Sequence, residues 1–497
     1  MLFLVSLPAV TARLYSSDEV QYYSYLRSLY FDRDVSFANE YRYFYERNIA
    51  QSAGFHETFL ERETAAGRRV NYATMGSAIL WLPFYATADL WTRVTAAAEP
   101  DGFTQPYISA VAYGSAVYAF LAVLLSVRAA RLLIHRGNTS HTGNTSHRRN
   151  TGETQKHSEN VGIGREGLES PEPNSVSQGG QAESQKPRAE GRARVIPKAE
   201  SQDTSLIPAL AVWVGTPLLF YMYVAPPFAH ACSAFAVALF VNVWLHVRQE
   251  WSARGAFALG LSAALMAMVR EQDAFLALGP AADFLWSFRS ASIITGIAGL
   301  AGVAAGFSPQ LLAYNALNGY PGPAEHVSRK MYWYSPHALQ VLASPHNGFF
   351  FWTPLALLAI VGLFALRDRR MMTCLLIMVA SQVYVAGAVD SWTVAGAFGQ
   401  RRFVCLTAIL VIGVAAAWNA ATIPRRGLAV IVALCVWWNV ALMAQFATRL
   451  MDRQRLEPAR NAYHAFVTLP LRAPSLVYRY LTDRESFYES HPAKPSR

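Results

Sequence analysis

Two adjacent carboxylates near the start of the chain are the first candidates for chemistry. Asp18 and Glu19 follow a short apolar stretch, and ionised groups beside a membrane helix are costly unless they serve a purpose. On a helix beginning here, Asp18, Tyr22 and Tyr25 share one face because of their spacing. The pair suits two roles. One is that of a general base. The other is structural: Ser17 or Asp18 would cap the N-terminus of the helix, and the helix dipole would favour Glu19 in its first turn.

Three arginines are suited to binding a phosphate group. Arg401 and Arg402 stand where an apolar run begins, and Arg270 stands where another ends. A guanidinium group matches two phosphate oxygens at once and remains charged near lipid. Two structural interpretations compete with this one. One member of the adjacent pair would anchor its helix at the membrane interface, and Arg270 would form a local ion pair with Glu271.

A substrate pocket is predicted from residues that lie in polar loops or where apolar segments begin. These residues are Tyr22, Asp34, His230, Asp390 and Trp392. The competing interpretations are a hydrogen-bonded interfacial residue for His230 and a helix cap for Asp390. The many tyrosines around Tyr22 most simply predict an aromatic belt at the membrane interface, with sugar stacking as the alternative.

The composition places these residues in a membrane protein. Hydrophobic residues make up 53 % of the chain and charged residues only 15 %, against about 25 % charged in ordinary soluble domains. A soluble cytoplasmic enzyme is therefore excluded. Apolar windows of about 20 residues, the length that spans a bilayer, predict an all-α polytopic membrane protein with about eleven transmembrane helices. The predicted spans are 1–13 (the end of a first span), 107–134, 205–224, 230–247, 255–269, 273–288, 291–314, 348–366, 371–389, 403–419 and 427–446.

The distribution of basic residues sets the orientation. The net charge of +10 lies largely in short clusters between apolar runs, a pattern typical of the positive-inside rule and not of a nucleic-acid groove. No nucleic-acid partner is predicted; the lipid bilayer is. Alternating the spans from an inside N-terminus puts the clusters on one side. The clusters are Arg128, Arg131 and Arg136; Arg248 and Arg254; Arg289; Arg367, Arg369 and Arg370; and Arg425 and Arg426.

This topology divides the chain into four parts. Residues 1–134 hold the first spans, with a polar and aromatic outer loop at 14–106 that contains an interfacial helix. Residues 135–204 are polar and carry few large apolar side chains, so a disordered cytoplasmic insert is predicted. Residues 205–446 form the transmembrane body, and 447–497 form a tail on the outer face.

The order of several motifs resembles the GT-C glycosyltransferase superfamily, which includes protein O-mannosyltransferases and the aminoarabinose transferases that act on lipid A. The similarity covers nearly the whole chain except 135–204 and the tail. Ser17 replaces the glycine of the family's first-loop motif and leaves the acidic pair intact. The motifs that carry the resemblance are SSDEVQYYSYLRSLYFDRDVSFANEY (16–41), NYATMGSAILWLPFY (71–85), AMVREQDAFLALGP (267–280), HNGFFFWTPLALLAIVGL (346–363) and DSWTVAGAFGQRRFV (390–404).

The resemblance implies a GT-C fold whose first outer loop carries interfacial helices. It also implies an inverting transfer of a hexose or pentose from a polyprenyl-phosphate donor to a lipid, glycan or protein acceptor. Asp18 would be the base, with Glu19 as second choice, orienting partner or metal ligand. Arg401, Arg402 and Arg270 would bind the donor phosphate. The expected location is the bacterial inner membrane, with the active site on the periplasmic face.

Metal dependence and two other classes of function stay open at this point. Some members of the superfamily use a divalent metal and others none, and the sequence allows a metal at Asp18 and Glu19 without requiring it. A secondary transporter would carry ionisable residues near mid-membrane, and a non-catalytic membrane assembly protein needs no site at all. An enzyme requires Asp18 and Arg401 to converge on one outer cavity with an opening towards the lipid, whereas an assembly protein does not.

Overall fold

The chain folds almost entirely into helices. The computed structural model describes residues 1–50, 52–150, 205–288, 292–394, 396–420 and 424–487. Over these residues the only β pairing is two isolated bridges. The chain divides into two compact units, Met1–Gly137 with Thr204–Arg497, and Asn138–Asp203. The first of these units carries every candidate site residue.

The part of the chain before the insert holds six α-helices. They are α1 (Leu2–Ser6), α2 (Ser17–Arg27), α3 (Ala38–Glu46), α4 (Ala53–Phe55), α5 (Gly76–Thr95) and α6 (Gln105–Asn150). Shorter turns separate them: a 3₁₀ turn at Leu7–Ala9 and π-helical turns at Ser28–Asp32 and His56–Glu61. The segment predicted to be disordered therefore begins inside α6, and its remainder, 151–204, lies outside the described residues.

The part after the insert holds fifteen α-helices by the same assignment. They are α7 (Leu206–Gly215), α8 (Leu218–Tyr223), α9 (His230–Val247), α10 (Ala253–Val269), α11 (Leu278–Trp286), α12 (Ile293–Asn318), α13 (Glu325–Arg329), α14 (Ala338–Ala343), α15 (Phe349–Trp352), α16 (Pro354–Leu363), α17 (Arg369–Ala388), α18 (Thr407–Asn419), α19 (Arg425–Ala447), α20 (Pro458–Tyr463) and α21 (Leu469–Thr482). This part of the chain also contains four short helical turns, at Glu271–Ala277, Arg401–Leu406, His464–Thr468 and Arg484–Phe487.

Six helices of the described chain are long and apolar enough to cross a membrane. They are the first part of α6 (Gln105–Ile134), α9, α12, α17, α18 with the turn before it (Arg401–Asn419), and α19. Helices α7, α10 and α16 are apolar but shorter. This architecture is that of an all-α membrane protein, as the composition predicts.

Two of the predicted spans, 205–224 and 348–366, are each broken before a proline. Pro217 and Pro354 have no amide hydrogen and disfavour helical geometry in the residue before them, so α7 and α15 end there. At the first break Asn439 donates from Nδ2 to two main-chain carbonyls, at 2.8 and 3.1 Å. The prediction of one uninterrupted helix over each of these ranges is therefore wrong, because average hydropathy is insensitive to a single proline.

Glycines set the closest helix contacts. A Cβ atom at Gly260 in α10 would lie 2.1 Å from the carbonyl oxygen of Gly299 in α12, and one at Gly413 in α18 would lie 2.1 Å from that of Ala359 in α16. Only glycine allows backbones to approach so closely, a common device between membrane helices. The α10–α12 contact fixes the helix that ends at Arg270.

The first loop has an aromatic core of its own. Tyr23, Tyr25, Tyr41, Phe37 and Phe44 are fully buried. The Tyr23 hydroxyl donates to a main-chain carbonyl at 2.6 Å, so its polar end is satisfied inside the protein. The predicted interface belt is wrong for these three tyrosines, since a belt residue would face the membrane surface.

A short strap, residues 71–75, attaches this loop to the membrane helices. The amide of Tyr72 donates to Gln21 Oε1 on α2 at 2.9 Å, and the hydroxyl of Thr74 donates to the carbonyl of Val269 at 2.9 Å. The strap thus holds α2 against the end of α10. It brings the acidic pair close to Arg270 in the fold.

The far end of α9 carries a different charge cluster. Asp283 is fully buried and pairs with Arg248 at 3.0 Å and with Arg370 at 2.6 Å. It also accepts a hydrogen bond from the indole of Trp244 at 2.9 Å. Two of the basic clusters predicted to share a side therefore meet at one carboxylate. Because α9 runs from His230 towards Arg248, this cluster and His230 lie at opposite ends of the helix.

Candidate functional site

The start of α2 assigns different roles to the two adjacent carboxylates. Ser16 is the N-cap, and Glu19 closes a capping box: its Oε2 accepts the amides of Tyr15 at 2.8 Å and Ser16 at 3.0 Å. Glu19 is fully buried. The predicted caps, Ser17 and Asp18, are wrong, because Ser16 stands one residue earlier with a glutamate at the third helical position. Asp18 takes no part in the cap.

Asp18 instead reaches the other half of the chain. Its Oδ2 pairs with Arg401 Nη1 at 2.8 Å. The Asp18 side chain is 40 % exposed and that of Arg401 is 24 % exposed. The guanidinium of Arg401 also lies over the ring of Phe228, 5.4 Å from its centroid. Asp18 and Arg401 are therefore in direct contact, although neither of them lines the large cavity that the structure forms nearby.

Arg270 adds a second guanidinium to the same region. Its Nη2 donates to Gln272 Oε1 at 3.1 Å, whereas its Nη1 is buried without a hydrogen-bond partner. The charges of Arg270, Asp18 and Arg401 all act on the hydroxyl of Tyr22, whose pKa burial raises to about 12. The predicted local ion pair with Glu271 is not formed; that carboxylate accepts the Tyr314 hydroxyl at 2.5 Å. An unpartnered buried guanidinium N–H is costly, and this one is free to donate a further hydrogen bond.

Arg402 is buried and has partners of its own. It donates to the carbonyl of Ser391 at 2.9 Å and to the Ser391 hydroxyl at 3.2 Å. These bonds hold the loop that carries Asp390 and Trp392. Trp392 packs against the ring of His337, 5.3 Å away. Arg402 therefore connects the loop to the arginine cluster, whereas its neighbour Arg401 connects the cluster to α2.

His230 lies at the start of α9 within reach of the three arginine charges. It is buried, and its Nδ1 has no hydrogen-bond partner. Its ring packs edge-on against Tyr221, with the centroids 4.5 Å apart, and stacks near Phe228 at 5.7 Å. At Nδ1, therefore, the hydrogen bond predicted for an interfacial histidine is absent. His230 closes the apolar side of the site.

Two predicted pocket residues are not joined to this cluster by the contacts they make. Asp34 is exposed and accepts hydrogen bonds from the Ser28 hydroxyl at 2.7 Å and the Ser36 amide at 3.0 Å. Asp390 is exposed, and its amide donates to the carbonyl of Lys330 at 2.8 Å. Asp34 therefore closes a turn, and Asp390 sits at the surface of the Trp392 loop.

Sequence reasoning missed Asp273, Tyr221 and Phe228. Asp273 is fully buried, accepts the Ser233 hydroxyl at 2.5 Å, and has a second oxygen without a partner. Its spacing from Arg270, one helical turn on, is the only local signal for it. Tyr221 stands inside the predicted span 205–224, and Phe228 stands in the short turn between that span and the next, so neither carries a local signal of function.

Neither family models, nor curated proteins, nor solved structures give a match to this chain. The assignment of a function therefore depends on the geometry of the site and on the sequence resemblance alone.

One oxygen of each member of the acidic pair is already engaged. Glu19 Oε2 accepts two amides and Asp18 Oδ2 accepts a guanidinium, whereas the buried Glu19 Oε1 has no hydrogen-bond partner. Within the described ranges no group of three or more His, Cys, Asp and Glu side chains could hold one. The guanidinium of Arg401 beside Asp18 disfavours a cation there, because a metal ion prefers oxygen ligands of opposite charge.

The role of Glu19 predicts a pH dependence of stability. Burial raises the pKa of Glu19 from its ordinary value of 4.5 to about 8. Between these values the folded protein holds a proton that the unfolded chain has released. The contribution of Glu19 to the free energy of unfolding is therefore complete below pH 4.5. It declines as the pH rises towards 8, by at most about 1.4 kcal/mol per pH unit.

The measurement is thermal unfolding in detergent, followed by circular dichroism across this pH range. Glu19→Gln keeps a neutral side chain that can still form a capping box but removes the titration. We expect the wild type to lose stability relative to this variant as the pH rises. Parallel melting curves at every pH would contradict a buried, titrating Glu19.

Proposed function

We propose that this chain is a GT-C-type glycosyltransferase that moves a sugar from a polyprenyl-phosphate donor to an acceptor hydroxyl. The observation that carries the proposal is the 2.8 Å pair between Asp18 and Arg401, formed beside a buried and unpartnered Nη1 of Arg270. A base and phosphate-binding cations thus lie next to each other where membrane helices end.

The proposed chemistry divides between the two kinds of charge. Asp18 takes the proton of the acceptor hydroxyl as its oxygen attacks the anomeric carbon. The bond between that carbon and the phosphate oxygen breaks on the opposite face of the sugar, and the configuration inverts. Arg270 and Arg401 stabilise the negative charge of the departing phosphate. Arg401 also fixes Asp18 through Oδ2, and the exposed part of the carboxylate faces the acceptor.

Glu19 and Arg402 are positioning residues in this proposal. Glu19 fixes the first turn of α2 and so the direction of Asp18. Arg402 holds Ser391 and the loop with Trp392, whose ring is the candidate platform for the sugar. His230 and the aromatic residues around it exclude water from the phosphate side, which strengthens the arginine–phosphate interaction.

The proposal extends to the topology. The Asp283 cluster, with Arg248 and Arg370, lies at the end of α9 opposite His230. By the positive-inside rule this end belongs in the cytoplasm. The transferase site then opens to the periplasmic face of a bacterial inner membrane. A bilayer-spanning helix needs about 20 residues, so the shorter helices would span together with the helices next to them, which gives the proposed GT-C fold with about eleven spans.

The test is a transfer assay with the purified full-length chain in lipid nanodiscs. The donors are a panel of polyprenyl phosphates carrying radiolabelled hexoses or pentoses, and the acceptors are membrane lipids, glycans and peptides in separate reactions. We expect release of the polyprenyl phosphate and a labelled product of inverted configuration. Arg329→Ala, which removes an exposed arginine paired with Glu325, should leave the rate unchanged.

Two results would overturn this proposal. One is a folded protein that cleaves no donor of the panel. The other is movement of intact labelled sugar–lipid or free sugar across a proteoliposome membrane without cleavage, which would indicate transport.

A further inference from the structure

A large cavity lies beside the candidate site. Its volume is about 1020 Å³, at the upper end of the 300–1,000 Å³ usual for ligand pockets. Its walls come from the N-terminal segment, α8, α19 and α21, with apolar side chains such as Phe220, Met443, Ala444 and Leu481. An apolar space of this size suits the hydrocarbon chain of a lipid.

Four arginines line the same cavity: Arg13, Arg47, Arg449 and Arg453. All four are exposed, and no Asp or Glu of the described chain is in the lining. The cavity is therefore amphipathic, with apolar side chains and basic side chains in one lining. This charge pattern complements an anionic head group attached to an apolar chain.

Arg449 and Arg453 are near neighbours in the sequence and both line the cavity. Arg453 donates from Nη2 to the carbonyl of Phe446 at 3.1 Å, and its guanidinium lies 4.5 Å from the centroid of that ring. Desolvation, followed by the charge of Arg449, lowers the pKa of Arg453. Like charges held near each other repel, and an anion bound between them relieves the repulsion.

The C-terminal helix closes one side of the cavity. Helix α21 contributes Val477 and Leu481 to the lining, and its Leu471 and Tyr478 are largely exposed. A helix with exposed apolar residues and arginines is typical of a segment lying in the membrane interface. After α21, Arg484 donates to the Thr11 hydroxyl at 2.8 Å, which ties this helix to the N-terminal wall. The cavity thus lies between a membrane span and an interfacial helix.

Tyr15 and Phe228 connect the wall of the cavity to the candidate site. Tyr15 lines the cavity, and its ring packs edge-on against Phe228 at 6.4 Å. Phe228 in turn lies under the guanidinium of Arg401. None of Arg270, Arg401 and Arg402 lines the cavity, so the two groups of arginines share no residue.

We propose that this cavity binds an anionic membrane lipid, with its phosphate at Arg449 and Arg453 and its hydrocarbon chains in the apolar interior. The proposal does not depend on the glycosyltransferase assignment, because it follows from the cavity, its lining and its charge. It adds a lipid site to the donor-phosphate site of the proposed function.

The test is lipid binding to the full-length chain purified in neutral detergent, measured by native mass spectrometry and by the thermal shift on adding lipid. The probes are phosphatidylglycerol, phosphatidylcholine and inorganic phosphate. We expect a preference for phosphatidylglycerol over phosphatidylcholine and no effect of inorganic phosphate alone. A comparable shift with free phosphate would overturn the proposal, since the apolar interior would then have no role.

Two independent variants test the two halves of the site. The double variant Arg449→Ala with Arg453→Ala should weaken phosphatidylglycerol binding by about tenfold or more, since charge-assisted contacts are lost. Ala444→Phe, which fills the interior, should weaken it without any change of charge. The matched controls are Arg460→Ala, an exposed arginine outside the cavity, and Ala429→Phe, exposed on the same helix. Unchanged binding in the double variant, or equal losses in variants and controls, would overturn the proposal.

Discussion

Replacing Asp18 by asparagine should lower the rate of sugar transfer by about 10²–10⁴-fold, the usual contribution of a general base. Asparagine keeps the size of the side chain and can still accept a hydrogen bond from Arg401. It cannot take the proton of an acceptor hydroxyl. The measurement is turnover with saturating donor and acceptor, because the loss should fall on kcat. The folded state is checked by gel filtration in detergent.

The structure makes this substitution a sharper test than the sequence alone allows. Ser16, and not Asp18, caps α2, so Asp18→Asn leaves the cap intact. Glu19→Gln should retain most of the activity, because Glu19 serves the capping box. Glu57→Gln removes an exposed carboxylate from the same loop and should have no effect. If Asp18→Asn turns over at the wild-type rate, Asp18 only positions Arg401 and the proposed base is wrong.

The fold class follows from composition because membrane spans require long apolar windows, and six helices meet that requirement. The exact spans do not follow in the same way. Hydropathy averaged over 205–224 gives one span, although Pro217 ends α7 within it. Asn439 donates hydrogen bonds to the main-chain carbonyls at the end of α7. These residues are far apart in the chain, and no local sequence pattern encodes that contact.

The acidic pair shows which part of a site can be predicted locally. The capping box has a signature four residues long, Ser16 to Glu19, that can be recognised without a structure. The two carboxylates are adjacent and follow the same apolar stretch, so the sequence does not show that only Glu19 belongs to the capping box. Separating Asp18 from Glu19 required knowing that Arg401 lies 2.8 Å from Asp18.

The aromatic residues show the limit of composition arguments. Tyr23 and Tyr25 have the residue type and the location of an interface belt, yet they are fully buried in the core of the first loop. That core forms because Phe37 and Phe44 supply apolar partners, as in the edge-on contact of Tyr25 with Phe37 at 4.9 Å. A soluble-type core inside a membrane protein leaves no trace in hydropathy.

The second large effect is expected from the arginines at the donor phosphate. Arg270→Ala and Arg401→Ala should each raise the KM for the donor by about 10- to 100-fold, because a buried charge-assisted contact is worth roughly 1.5–3 kcal/mol. The corresponding lysine variants should recover only part of the affinity, since an ammonium group cannot match two phosphate oxygens as the guanidinium does. Donor KM is measured at saturating acceptor.

The two arginines should differ in a second respect, and this difference tests their geometry. Arg270→Ala and Arg401→Ala should both lower kcat, because both arginines stabilise the departing phosphate; Arg401 also holds Asp18, so Arg401→Ala should lower kcat further than Arg270→Ala does. Arg402→Ala should impair the Trp392 loop through the loss of both bonds to Ser391, and it should weaken sugar discrimination more than phosphate binding. Arg329→Ala serves as the exposed control. Because the partnerless Nη1 of Arg270 is the atom that points to a phosphate, an unchanged donor KM in Arg270→Ala would remove the donor phosphate from this cluster.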